Sequence, residues 1–292
     1  MDYAKGINMW TTGHNIQESI IESIMWSGAA LVTIPFVWLI GDLLWNGWTH
    51  LTLSFVFSPP LHAGRAGGIG PILVSTGWII AICMTVAIPI GLGTALFLSE
   101  YTRNDHVLGR LIRSSLDILA GVPSIVFGLF GNAIFCQALG LGFSLLSGGL
   151  TLACMVLPIL IRTVEEGLRA IAQDQRISAA ALGLSHHTML QQILIPAAMP
   201  NLLVGTILGL GRALAESAAL IFTSGYVDRM PESMMDSGRT LAVHIYDLSM
   251  NIPGGNPHAY ATALVLVGLL LSINLLATRI AARWTSPPQH QA

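Results

Sequence analysis

Six apolar stretches, each near the length of about 20 residues that a helix needs to cross a bilayer, follow one another along this chain. That pattern leaves few folds open. Inside hydrocarbon every backbone N–H and C=O must find a partner within the protein, so crossing segments are helices or closed barrels. Continuous runs of this length read as helices. They cover approximately Ser23 to Leu44, with Pro35 inside, Pro71 to Leu98, Leu116 to Leu139, Leu145 to Ile161, Leu202 to Phe222 and Tyr260 to Ala281. Gly and polar residues interrupt the third and fifth. Only 10% of the 292 residues are charged and 53% are apolar, whereas a soluble domain carries about 25% charge. The expected fold class is an all-α integral membrane protein of about six transmembrane helices.

Arginine and lysine set the expected orientation. With both termini cytoplasmic, the inner side holds Lys5, Arg103, Arg110, Arg113, Arg162, Arg169, Arg176, Arg279 and Arg283, and the outer side holds Arg65, Arg229 and Arg239. The reverse orientation inverts this bias. The N-terminal stretch does not read as a signal peptide, because Asp2, Glu18 and Glu22 outweigh Lys5 there. Between Asn15 and Met25, Ile16, Ile20, Ile21 and Ile24 can share a face opposite Glu18 and Glu22. This is either a helix lying on the membrane surface or a polar extension of the first span.

Several function classes drop out. No basic, aromatic-interleaved patch is present, so nucleic acid is not an expected partner. Cys83, Cys136 and Cys154 all lie inside apolar runs without metal-ligand spacing. No P-loop, H-E-x-x-H or G-x-S-x-G motif occurs, so the chain is expected to bind no cofactor and not to hydrolyse ATP itself. His186 and His187 are adjacent and point to different helix faces, a poor joint metal site.

Three connections are long. The outer loop near Asn46 to Gly70 is rich in Gly and Pro. The outer loop from about Ser224 to His258 contains an apolar stretch, Thr240 to Tyr246, able to rest on the membrane or the bundle, and a turn cluster from Asn251 to Asn256. The inner loop, about Arg162 to Asn201, is too long for an idle connection. It reads as a helix–turn–helix with Ile177, Ala180, Ala181 and Leu184 at helical spacing and Gly183 at the turn. Its small-residue face either meets a partner or packs on its own bundle.

Two features break the apolar rule inside the spans. Arg212 and Glu216, at i and i+4 in the expected fifth span, would share one helix face. A lone charge at the bilayer centre costs about 2.5–3.5 kcal/mol, so the two are read as a pair facing the bundle interior. Either they fix helix packing, or Arg212 attracts an anion along a pathway with Ser217, Thr223 and Ser224 as donors. Gly205, Gly209 and Gly211 would let a neighbouring helix come close. In the third span Gly121-Val-Pro-Ser124 and Gly128 mark a kinked or unwound segment, beside a cavity or merely tolerated; Pro123 and Ser124 are the candidate gate residues.

The inner loop also resembles the E-A-A-x-x-x-G…I-x-L-P motif of ABC importer permeases. Ala179, Gly183, Ile193 and Pro196 fall in register; Ile177 stands at the motif glutamate and Ser178 at its first alanine. Val122-Pro-Ser-Ile-Val-Phe-Gly-Leu-Phe130, Leu157-Pro-Ile-Leu-Ile-Arg-Thr-Val-Glu165 and Gly211-Arg-Ala-Leu-Ala-Glu216 followed by Ser217 to Thr223 are similar to segments of phosphate importer permeases of the PstA type. Ala215 replaces a glycine of that pattern and Ala219 a proline. The likeness covers roughly Gly70 to Arg283.

This resemblance implies a type I (MetI-like) permease domain over residues 70–283. Before it come an N-terminal helix, the first span and an outer loop (1–69), and after it a cytoplasmic tail (284–292). It implies a bacterial inner-membrane importer of phosphate or, alternatively, of phosphonate, sulfate or molybdate. The implied partners are a PstC-like permease, a PstB-like ATPase dimer carrying the ATP, and a PstS-like periplasmic phosphate-binding protein. Arg212, Glu216 and Ser217, with Arg162 and Glu165 behind them, become pathway candidates. Ser178, Ala179, Gly183, Ile193 and Pro196 become ATPase-coupling candidates.

Overall fold

A computed structural model describes residues 8–102 and 106–285. Apart from one tiny hairpin it is helical. The helices are α1 (Asn8–Trp48), α2 (Leu53–Phe57), α3 (Gly70–Leu96), α4 (Val107–Gly121), α5 (Ser124–Gly131), α6 (Leu145–Ala170), α7 (Gln173–Ala181), α8 (His186–Met189), α9 (Ile195–Leu214), α10 (Ala218–Ile221), α11 (Leu241–Met250) and α12 (Asn256–Thr285). The hairpin pairs β1 (Pro60–Leu61) with β2 (Ala66–Gly67) in the loop after α1. Five helical stretches are long and apolar enough to cross a membrane, and a sixth is added if the bent pair α4–α5 counts as one span.

The core is a three-helix stack in which α6 lies between α3 and α9. Ile79, Cys83 and Ala87 of α3 meet Leu152, Val156, Leu160 and Val164 of α6, all buried. Close approach is permitted by small residues on α9. A Cβ at Gly209 would lie 2.4 Å from Val156 Cγ1, and one at Gly205 would lie 3.1 Å from Leu160 Cδ1. Gly211, the third expected contact glycine, faces open space. Around this stack, α12 packs on α1, α9 and α11.

Helix boundaries differ from the sequence expectation in three places. First, α1 is continuous through residues 15–25, so that stretch extends the first span; at about 1.5 Å per residue its 41 residues exceed a 30 Å hydrocarbon core. Second, the fifth span runs His186–Leu214 rather than Leu202 to Phe222. Pro196 does not stop it: Pro sits in the first turn of α9, where a missing N–H costs little. A π turn at Leu190–Leu194 joins α8 to α9. With α6 reaching Ala170, the inner connection shrinks to residues 171–185.

Third, the expected third span is two helices meeting at 107°. Val122 and Pro123 are extended (ψ 130° and 143°), as a residue preceding proline prefers. The 15 residues of α4 reach only about 22 Å, too short to cross alone. Beyond the bend, α5 continues through a π turn, Asn132–Ala138.

The apolar stretch at Thr240 to Tyr246 forms α11 and rests on the bundle, with Leu241, Val243 and Leu248 fully buried. Thr76 of α3 accepts the Leu241 N–H at 3.0 Å. The turn cluster after it includes Gly254 at φ +81°.

The α6–α9 seam should be sensitive to volume. Gly209→Leu is expected to destabilise the purified protein by about 1–3 kcal/mol, the usual cost of overpacking. Gly211→Leu, which meets nothing, should leave the thermal midpoint unchanged.

Candidate functional site

The two interrupted spans meet. Gly128 of α5 lies so close to α10 that a Cβ there would be 2.8 Å from Ala219 Cα. Asn132 Nδ2 donates to the Phe222 carbonyl at 2.7 Å, and the Ser144 N–H donates to the Thr223 carbonyl at 3.1 Å. Broken backbone at membrane depth is tolerated only where protein or water satisfies it; here side-chain and backbone donors of the third and fourth spans reach the carbonyls that follow α10. An apolar cavity of about 440 Å³ opens on the inner side of the α4–α5 bend, lined by residues including Leu119, Val122, Phe127, Phe130, Cys154 and Leu157. Pro123 is exposed and Ser124 half-buried, and neither lines this cavity.

Arg212 and Glu216 do not share a helix face. The fifth-span helix ends at Leu214. Glu216 lies beyond it and turns its Oε1 to accept the Ala219 N–H at 3.1 Å, satisfying the start of α10. That cap ends one helix and starts the next, and the i,i+4 geometry is lost. Ser217 occupies the N-cap position of α10. Arg212, in the last turn of α9 where a cation complements the helix dipole, is exposed and forms no ion pair among the described residues. It continues an exposed stripe made by Val204 and Leu208. Thr223 and Ser224 are fully buried and donate to the carbonyls of Ala219 and Leu220.

Arg162 and Glu165 lie within α6, one to two turns before its end. Arg162 pairs with Asp117 of α4 and donates to the Arg113 carbonyl at 3.1 Å. Glu165 is only 3% exposed. Its Oε1 accepts from Arg113 Nε at 2.9 Å and Arg169 Nε at 3.1 Å. Both residues therefore bind α4 to α6, well separated in sequence from Arg212.

The connection between α6 and α9 is the expected helix–turn–helix. Gly183, at φ +73°, makes the turn after α7, a conformation open to Gly at little cost. Ala179 is buried, while Ser178, Ile177 and Leu182 project outward, Leu182 at 79% exposure. Ile193 is half-buried in the π turn, and Pro196 is exposed just after it. His186 sets its ring edge-on to Tyr101 at 5.2 Å.

At the opposite end of the bundle is a cluster that the sequence did not reveal. Arg239, 3% exposed, pairs with Asp228 at 2.8 Å and Asp247 at 2.7 Å. The sequence reading placed Arg239 among the loop arginines; its two partners, 11 and 8 residues away, follow no helical spacing. Beside it His244 is buried against Gly64, where a Cβ would lie 2.7 Å from the imidazole. Burial, then the Arg239 charge, then His258 push His244 down to about 3.

Comparison with known proteins follows this geometry. Residues 87–286 match the family described as binding-protein-dependent transport system inner membrane component, and the chain belongs to that family. A probable ABC transporter permease, YqgI of Bacillus subtilis, is 32% identical over 88% of this chain and 90% of its own length. The phosphate transport system permease protein PstA 1 of Mycobacterium tuberculosis is 29% identical over 92% of this chain and 90% of its own. A chain of a bacterial ABC transporter involved in import of the acidic polysaccharide alginate superposes with a TM-score of 0.69 at 13% identity, covering 96% of this chain and all of that one. The fold is that of a type I, MetI-like importer permease, and the protein is an ABC importer permease.

The His244 site carries a pH dependence. Its proton affinity is lower folded than unfolded, so the unfolded chain binds the extra proton and stability falls as pH drops from about 6.5 toward 3. The slope from one such group is at most about 1.4 kcal/mol per pH unit. Amide exchange in α11 should therefore speed up at pH 5 relative to pH 7.5 beyond the intrinsic chemical change, and His244→Gln should remove the excess.

Proposed function

We propose that this chain is one of two permease subunits of a bacterial inner-membrane importer that moves inorganic phosphate inward. ATP is hydrolysed on a separate ATPase dimer, and the chain itself holds no cofactor. The observation that carries the cargo assignment is Arg212. It is an exposed guanidinium at the end of a membrane helix with no carboxylate paired to it among the described residues, in a chain whose relatives include named phosphate permeases. A cation in a low-dielectric path attracts an oxyanion and offers it a bidentate fork. The half-buried Ser217 and Glu216 stand at the adjoining break, where the path would pass between α9 and α10.

The basic end of the bundle, carrying α7, is read as cytoplasmic, with both termini on that side. There the exposed Ile177, Ser178 and Leu182 surround the Gly183 turn and would seat in a PstB-like ATPase. The loops after α1 and α10 would then face a PstS-like binding protein, and the exposed α9 stripe a PstC-like permease. The match at Ala179, Gly183, Ile193 and Pro196 supports the coupling assignment.

Two experiments test this. In reconstituted complexes Arg212→Ala should cut labelled-phosphate uptake tenfold or more, roughly what loss of a charge-assisted hydrogen bond of about 1.5–3 kcal/mol brings. Unchanged uptake removes the residue from the path, and competition by sulfate, phosphonate or molybdate in preference to phosphate would reassign the cargo. Gly183→Trp should abolish co-purification of the ATPase, whereas Gly183→Asn, which tolerates positive φ, should retain it. Among the described residues nothing beyond its chain neighbours lies within 4 Å of a Cβ at Gly183, and the Asn variant separates the strain of a side chain at positive φ from a clash with a docked partner.

A further inference from the structure

α3 does not end as an α-helix. Its last residues, Phe97–Tyr101, form a π turn, a local insertion that frees carbonyls and often marks a functional position. Four elements at the basic end reach this one turn: α4, α6, α7 and α8. The Leu98 carbonyl accepts from Arg113 of α4 at 3.0 Å and from Arg169 of α6 at 3.4 Å. Glu100 Oε1 accepts from Arg176 of α7 at 2.8 Å and from Ser99 at 2.9 Å. The Tyr101 ring meets His186 of α8. Just past the turn, Thr102 packs on Gly109 of α4, where a Cβ would lie 2.2 Å from its methyl.

The arginines are held from their other sides too. Arg176 also donates to the Ile171 and Leu168 carbonyls at 2.7 and 3.0 Å, clamping the start of α7 to the end of α6. Arg113 and Arg169 share Glu165. Beside the turn lies a cavity of about 600 Å³, lined among others by Ser99, Glu100, Tyr101, Arg169, Gln173 and Arg176. There is room for the turn to move.

We infer that the π turn at Phe97–Tyr101 is the joint that carries motion of the coupling loop to the bent third span, and that Glu100 is its positioning residue. The inference rests on the coupling role proposed above. A displacement of α7 pulls Glu100 through Arg176. Because the same turn holds Arg113 through Leu98, α4 moves with it, and α4 is the arm that meets α5 at the Pro123 bend. A π turn suits this work: its extra residue loosens the backbone bonding at the end of the helix and leaves the Leu98 carbonyl to side-chain donors.

The test uses the assembled complex in liposomes. Cys83, Cys136 and Cys154 are changed to Ala, and spin labels are placed at Ile118→Cys on α4 and Leu276→Cys on α12, both exposed. The distance between labels is measured without nucleotide and after trapping with ATP and vanadate. The parent complex should show a shift on trapping. Glu100→Gln should still co-purify with the ATPase and hydrolyse ATP at the basal rate, yet lose the shift. Glu100→Asp, which keeps a carboxylate for Arg176, should retain it, a charge requirement that a merely structural defect would not impose. A Glu100→Gln complex that assembles and shifts like the parent overturns the inference, as does a Glu100→Asp complex that assembles without the shift. The readout is motion rather than cargo, so absence of phosphate uptake by the parent complex would overturn the phosphate assignment alone.

Discussion

Within hydrocarbon the backbone has no water to bond, and this constraint shapes the rest of the molecule. Where the chain stays helical, the requirement is met locally and the helices need only pack; α3, α6 and α9 do so through small residues. Where it departs from helix, at residues 122–123 and 215–217, it needs outside partners. The helices that follow the two departures meet at the α5–α10 contact, where Asn132 donates to the Phe222 carbonyl, while Glu216 accepts the Ala219 N–H within its own break. The irregular centre therefore joins two broken spans.

Charge obeys the same economy of partners. A buried ion pair gains little net stability, because desolvation offsets most of the attraction; removing one member, however, strands the other. Glu165 and Arg239, each about 3% exposed, tie elements together: α4 with α6 across 52 positions, and the loop before α11 with α11 itself. Their value is positional. They fix where α4 and α11 stand relative to the bundle at opposite ends, while the apolar core supplies the stability.

Much of this was legible in the sequence, because hydrophobic length and turn chemistry act locally. The span cores, the start of α6 at Leu145, the Gly183 turn and the break at Pro123 all follow from residues close to one another. What was illegible depends on distant partners. The end of α9 at Leu214 looks, in sequence, like the middle of an apolar run; it is set by Glu216 capping the next helix, a choice that competes with the i,i+4 pairing to Arg212 and wins. The inner loop was read as running to Asn201, whereas the fifth-span helix already begins at His186 and continues past Pro196 by way of a π turn. The π turns leave no mark of their own in composition. Nor do the 76 residues between Glu100 and Arg176 or the 52 between Arg113 and Glu165, since nothing local links them.

The same reasoning bears on what surrounds the single chain. α1 is exposed over most of residues 18–48, Leu43 and Gly47 being buried, and the apolar side chains that dominate its exposed middle suit lipid. The exposed face of α9 differs: Val204 and Leu208 could face lipid, but Arg212 in line with them could not without a cost of several kcal/mol. An arginine paired internally would have escaped that cost, and the Glu216 cap forecloses the pairing. Arg212 must therefore look onto water or another protein. A pathway shared with a second permease provides both, and α4, exposed along most of its length with Arg110 and Asp117 on its surface, calls for the same kind of cover. The polar breaks and an arginine with no ion pair among the described residues are what the proposed function would require of a chain that shares its passage with a second permease.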